Sequence, residues 1–158
     1  MAALDFAGAV NAVKTMLAGL TAWQSICGVS TSAEAAKRIY LGGEEESEEE
    51  SLCPMIVLDI DPFAVNWLQS TFRGKLQVEI RCELAVPDEN RGTVSEQYSW
   101  VWTQVSALLA GINGAVQGAG QLMADSLNMA VKPGAINPDE NHGRCEWGFV
   151  LMLTLEFI

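Results

Sequence analysis

Positive charge is scarce in this chain. Nine Lys and Arg stand against twenty Asp and Glu in 158 residues, and the bases are scattered. Tight binding to a phosphate backbone needs clustered Lys and Arg, so the composition disfavours nucleic-acid binding at the surface. It disfavours an anionic membrane surface for the same reason. Long apolar runs are missing too. None reaches the ~18 residues that a bilayer span needs. The opening Met1-Ala2-Ala3-Leu4-Asp5 lacks the basic stretch of a secretory signal. The expectation is a soluble protein, made in a cytoplasm, with no membrane partner.

Signatures of catalysis are equally thin. His142 is the single histidine, and it stands in a polar turn with no Ser or Cys motif to activate. No serine occurs in a G-x-S-x-G context. Gly114, Gly118 and Gly120 lack the Lys-Ser/Thr ending of a P-loop and follow a helical pattern rather than a strand. The four cysteines (Cys27, Cys53, Cys82, Cys145) show no C-x-x-C spacing. Reduced, mostly buried thiols are expected, with a zinc site from distant Cys and His142 as the alternative. The expectation is a protein that is not an enzyme, with no catalytic residues, cofactor or metal.

What is present is a strong record of architecture. A hydrophobic content of 49% supports a folded core, and the length suits a single domain over residues 1–158. The net charge of −11 is uneven. Setting aside the six acids of one run (Glu44, Glu45, Glu46, Glu48, Glu49, Glu50) leaves −5. The body is mildly acidic and carries a very acidic, flexible loop at 42–51. Dense like charge is solvated, and such a loop could order on contact with a partner during assembly.

Two segments alternate with period two. Leu76, Val78, Ile80, Cys82, Leu84 and Val86 fall on one face, against Lys75, Gln77, Glu79, Arg81 and Glu83 on the other. Trp147, Phe149, Leu151, Leu153, Leu155 and Phe157 repeat the pattern from Glu146 to Ile158. Shorter strands are predicted at 52–60, 63–72 and 127–132, with a turn at Arg73-Gly74. Helices are predicted from Asp5 to Ala22, on the stripe Phe6, Val10, Val13, Leu17 and Leu20, and from Glu96 to Ile112. Thr93-Val94-Ser95-Glu96 forms a capping box ahead of the second, and Asn113-Gly114 supplies a stop. Ala33 to Tyr40 reads as a short helical turn. Together these give an α+β fold: an antiparallel sheet of four to five strands with two main helices packed on one face.

Three further features offer alternatives. Pro87-Asp88-Glu89-Asn90-Arg91-Gly92 is echoed by Pro138-Asp139-Glu140-Asn141-His142-Gly143. The residue types suit tight turns, or oxygen ligands in a small cation- or ligand-binding module. Asp59 and Asp61 form a D-x-D that could hold Mg²⁺ in a hydrolase or transferase, or simply cap a strand exit. Among five tryptophans, Trp102 and Trp147 fit core faces. Trp23, Trp67 and Trp100 leave room for an apolar interaction surface.

The order of elements is a helix leading to Trp23, then a strand through Cys53-Pro54-Met55-Ile56-Val57, then the long strand Lys75 to Val86. The helix Glu96 to Ile112 and the closing run Trp147 to Phe157 follow. This order resembles the tail terminator, or tail-completion, proteins of long-tailed bacteriophages. The acidic loop and the Gly-rich stretch after the second helix look like insertions relative to that pattern. The resemblance implies a ring-forming subunit, typically a hexamer, that caps the tail tube, ends its polymerisation and offers a surface for head docking. The implied partners are further copies of the chain, the tail tube protein and a head-completion or connector protein. DNA would only pass through the lumen, and the location would be the neck or tail of the virion. Lys75, Gln77, Glu79, Arg81 and Glu83 are the candidate subunit contact. Another neck, tube or baseplate protein is the neighbouring alternative.

Overall fold

Val10, Val13 and Leu17 lie about one helical turn apart and are buried along the first helix, α1 (Phe6–Gly19). They belong to a computed structural model that describes residues 6–42, 53–60, 66–68, 73–118, 124–133 and 147–157. The helix does not run on to Ala22 as its periodicity predicts. Leu20 is extended, at φ −72° and ψ 126°, and a second helix, α2 (Thr21–Cys27), begins at once. Past the break Trp23 is fully buried, and its indole N–H donates to Ala35 O at 3.2 Å. That bond ties α2 to α3 (Ser32–Ala36). Gly28 ends α2 at φ 68°, a left-handed conformation that costs glycine least. Thr31 caps α3, its hydroxyl oxygen accepting from Glu34 N at 3.3 Å.

Among the described residues six strands follow in one sheet: β1 (Ile39–Leu41), β2 (Met55–Ile60), β3 (Asn66–Leu68), β4 (Arg73–Leu84), β5 (Ala124–Pro133) and β6 (Trp147–Phe157). Their order is β1-β2-β4-β6-β5, with β3 also pairing on β4. The fold is α+β, as expected. The sheet is mixed rather than purely antiparallel, because β1 runs parallel to β2, with Ile39 opposite Ile56 and Leu41 opposite Leu58. The helical turn expected over Ala33 to Tyr40 forms as α3 but ends at Ala36, and the sixth strand, β1, takes the last two residues of that stretch. Three residues are too few to show a period, and their pairing with β2 decides the conformation. Four helices, rather than two main ones, are present among the described residues.

Register explains the core. Leu58, Ile80 and Leu151 align across β2, β4 and β6, as do Ile56, Cys82 and Phe149. These side chains are buried in one cluster with Leu17 of α1, Trp23 of α2 and the inner face of α4 (Val94–Gly118). Arg73 and Gly74 are not a turn. They open β4, where Gly74 pairs in register with Trp67 on one side and Phe157 on the other.

The capping box at the start of α4 forms as the spacing predicts. Glu96 N donates to Thr93 Oγ1 at 3.1 Å, and Thr93 N donates to Glu96 Oε2 at 3.2 Å. The stop at Asn113-Gly114 does not occur, and the helix continues to Gly118. Leu108 and Ile112 are buried one turn apart. The helix passes Gly114 despite the ~1 kcal/mol that a helical glycine costs relative to Ala.

Candidate interaction surface

Alternation along β4 puts Lys75, Gln77, Glu79, Arg81 and Glu83 at positions opposite in phase to the buried Val78, Ile80, Cys82 and Leu84. Across the sheet, Glu79 faces Asp59 on β2 and Met152 on β6. Arg81 lies between Val57 and Val150, and Glu83 between Met55 and Gly148. Arg81 Nε approaches Glu83 Oε1 at 3.6 Å, with side chains 41% and 31% exposed. Both charges remain in contact with solvent, so the pair contributes at most about 1 kcal/mol and is sensitive to salt. The strand therefore delivers a row of mixed charge on the face away from the main core.

The same face holds a feature that the alternation of β4 alone could not disclose. Tyr40, Met55 and Val57 form a second, small buried cluster. Tyr40 pairs with Val57 in the register of β1 and β2. Met55, Ile56, Val57 and Leu58 are buried consecutively, so β2 is covered on both faces. A continuous apolar run is the sequence mark of such a strand.

The tryptophans are distributed differently from the expectation. Trp147 is buried as expected, but so is Trp23, whereas Trp102 is 42% exposed on α4. Trp100 is partly buried against the main core. The side chain of Trp67 lies outside the described residues.

The expectation of reduced thiols holds for two cysteines and fails for a third. Cys27 and Cys82 are free, whereas Cys53 is disulfide-bonded. Cys53 is only half-buried just ahead of β2, not enclosed in the core as the burial argument assumed. Burial pushes the Cys27 thiol up from 9.0 to about 11, although the Arg38 charge pulls the other way. Burial also raises Cys82 well above the ordinary range, with further contributions from Cys27 and Glu83. Both are thus protonated at neutral pH, the opposite of what a nucleophilic or metal-binding thiol requires.

The first Pro-Asp-Glu-Asn sequence is a turn. Asp88–Asn90 form a short 3-10 helix in which Asn90 N donates to Pro87 O at 2.9 Å. Arg91 Nε donates to Val86 O at 2.8 Å and lies 3.5 Å from Asp88 Oδ1. The second copy, with His142, lies outside the described residues, as do Asp61 and the acidic run Glu44 to Glu50. Asp59 is exposed on β2. Among the described residues, no three His, Cys, Asp or Glu side chains gather as a metal site would require. No helix among them is long and apolar enough to cross a membrane.

The chain matches no protein-family model and none of the curated proteins with which it was compared.

Proposed function

We propose that this protein is a ring-forming structural subunit that caps the tail tube of a long-tailed bacteriophage, ending tube growth and presenting the surface on which the head docks. The observation that carries the reading is the division of the sheet. One face is buried in the main core with residues of all four helices, while the other holds the half-exposed Glu79, Arg81 and Glu83. A face bearing both signs of charge can meet a different surface of an identical neighbour. A contact of that heterologous kind closes into a ring when the rotation between neighbours allows it. The order of elements that resembles the terminator proteins supports the same reading.

In this account the partners are further copies of the chain, the tube protein below and a head-completion protein above. The net charge of −11 suits a lumen through which DNA passes without adhering, because like charge repels the phosphates. The test of the capping role is to add purified protein to tail tube subunits while they polymerise. Tubes should stop growing, with the added protein at one end only. Tubes that grow on with the protein incorporated along their length would make it a tube component instead.

A further inference from the structure

Cys53 is disulfide-bonded, and its partner must be another cysteine. Cys27 and Cys82 are free, which leaves Cys145 of the four. The frame around Cys53 suits that partner. Arg38 Nη1 donates to Cys53 O at 2.9 Å, and Ile56 N donates to Arg38 O at 2.9 Å, which fixes the chain at the entrance to β2. The sulfur of Cys53 lies 3.9 Å from Glu83 O. Glu83 pairs with Met55 of β2 on one side and with Gly148 of β6 on the other, so both strands enter the sheet at the same end of β4. With β4 between them, β2 and β6 stand roughly 10 Å apart. Cys145 precedes Gly148 by three residues, a reach of up to about 10 Å. That reach suffices to bring two Cα atoms to the roughly 4.4–6.8 Å that a disulfide requires.

We propose that a Cys53–Cys145 disulfide staples the chain entering β2 to the chain entering β6, and that this staple opens and closes with the surrounding thiol–disulfide balance. Cys53 is half-buried rather than enclosed, so a dissolved thiol can reach its sulfur. Closure is an exchange with a small disulfide such as oxidised glutathione. One protein thiolate attacks a glutathione sulfur and releases one glutathione, and the second attacks the mixed disulfide and releases the other. The two protein sulfurs are oxidised, the glutathione disulfide is reduced, and the two thiol protons pass to the departing glutathione thiolates. Cys27 and Cys82 do not divert the exchange, since burial keeps both protonated at neutral pH. The closed bond encloses β2, β3, β4, α4 and β5 in one covalent loop. A loop of that length removes much freedom from the unfolded chain. The fold is therefore more stable in oxidising surroundings than in reducing ones, whether or not the chain builds a ring.

The test counts thiols on the full, unmodified chain. The protein is equilibrated with oxidised glutathione, unfolded in urea with excess iodoacetamide, and mapped by mass spectrometry with and without prior reduction. The expected result without reduction is alkylation at Cys27 and Cys82 alone, with a peptide pair joining Cys53 to Cys145. After reduction all four cysteines should be alkylated. The urea midpoint of the oxidised protein should exceed that of the reduced protein by about 1–2 M, and Cys145→Ser should abolish the difference. Alkylation of all four cysteines without reduction would overturn the staple. So would a bond from Cys53 to Cys27, to Cys82, to glutathione or to a second copy, or equal midpoints with the bond open and closed. The ring is read separately, from the mass of the assembly.

Discussion

The indole N–H of Trp147 donates to Gln97 Oε1 at 3.2 Å, joining the first residue of the final strand to the first turns of α4. Gln97 is the single buried polar side chain among the described residues, and its amide nitrogen reaches Arg91 O at 3.4 Å. Tyr98 meets the Trp147 ring edge-on, with centroids 4.5 Å apart. A buried indole N–H is satisfied here by a side chain that is itself held by the turn ahead of the helix. Gln97→Leu should destabilise the protein by about 1–3 kcal/mol, the usual cost of leaving a buried donor unpaired. Adding Trp147→Phe to Gln97→Leu removes that orphan donor, so the two losses should not add. Urea denaturation of both single variants and the double variant measures the coupling.

Two helix starts share one device. Thr31 and Glu34 repeat on α3 the spacing of Thr93 and Glu96 on α4. Thr93→Ala and Thr31→Ala should each cost about 0.5–2 kcal/mol. Thr93→Ser should recover most of the loss, since it keeps the accepting oxygen. Thermal unfolding of the three variants separates the cap from a general effect of substitution.

How much of this was legible follows from the lengths of the patterns. The twelve-residue β4 and the eleven-residue β6 carry several full periods, and both were readable to within two residues. The start of α4 was readable because its cap uses residues adjacent in sequence. Thr31-Ser32-Ala33-Glu34 bears the same signature, but no apolar stripe follows it to mark a helix. The three-residue β1 exists through its pairing with β2, a contact of distant segments that local pattern cannot express. The break at Leu20 and the passage of α4 through Gly114 both run against the local signals, an apolar stripe that continues and an Asn-Gly stop. The charged row of β4 was legible from its alternation. The buried cluster of Tyr40, Met55 and Val57 behind it was not, because it depends on β1.

The tryptophans should respond unequally to a solvent quencher. Trp102 is exposed, whereas Trp23 and Trp147 are buried. Trp102→Phe should lower the acrylamide-accessible fluorescence and change stability by less than about 0.5 kcal/mol, as is usual for surface substitutions. Trp23→Phe should leave the accessible fraction intact. It should cost about 1 kcal/mol, through loss of the bond to Ala35 O. Stern–Volmer plots beside urea curves report both quantities.

The thiols predict a pH dependence. Cys27 titrates at about 11 in the folded protein, against 9.0 unperturbed, and Cys82 is shifted in the same direction. The unfolded chain therefore releases these protons first as pH rises. Their stabilising contribution is complete below pH 9, declines from 9 toward 11, and falls further while Cys82 stays protonated. Cys27→Ser with Cys82→Ala should flatten that decline, measured as urea midpoints between pH 8 and pH 11. Alkylation of the folded protein by iodoacetamide at pH 8 should correspondingly be slow, because little thiolate is present.

The ring is the central claim, and the mass of the purified protein tests it most directly. Light scattering after size exclusion, over a range of concentrations and salt, should show a discrete assembly of about six subunits or a monomer that converts to one. Arg81→Glu, which sets acids at the three successive outer positions 79, 81 and 83 of β4, should shift the balance toward monomer. A strict monomer at every concentration, or growth into open-ended tubes, would contradict the account.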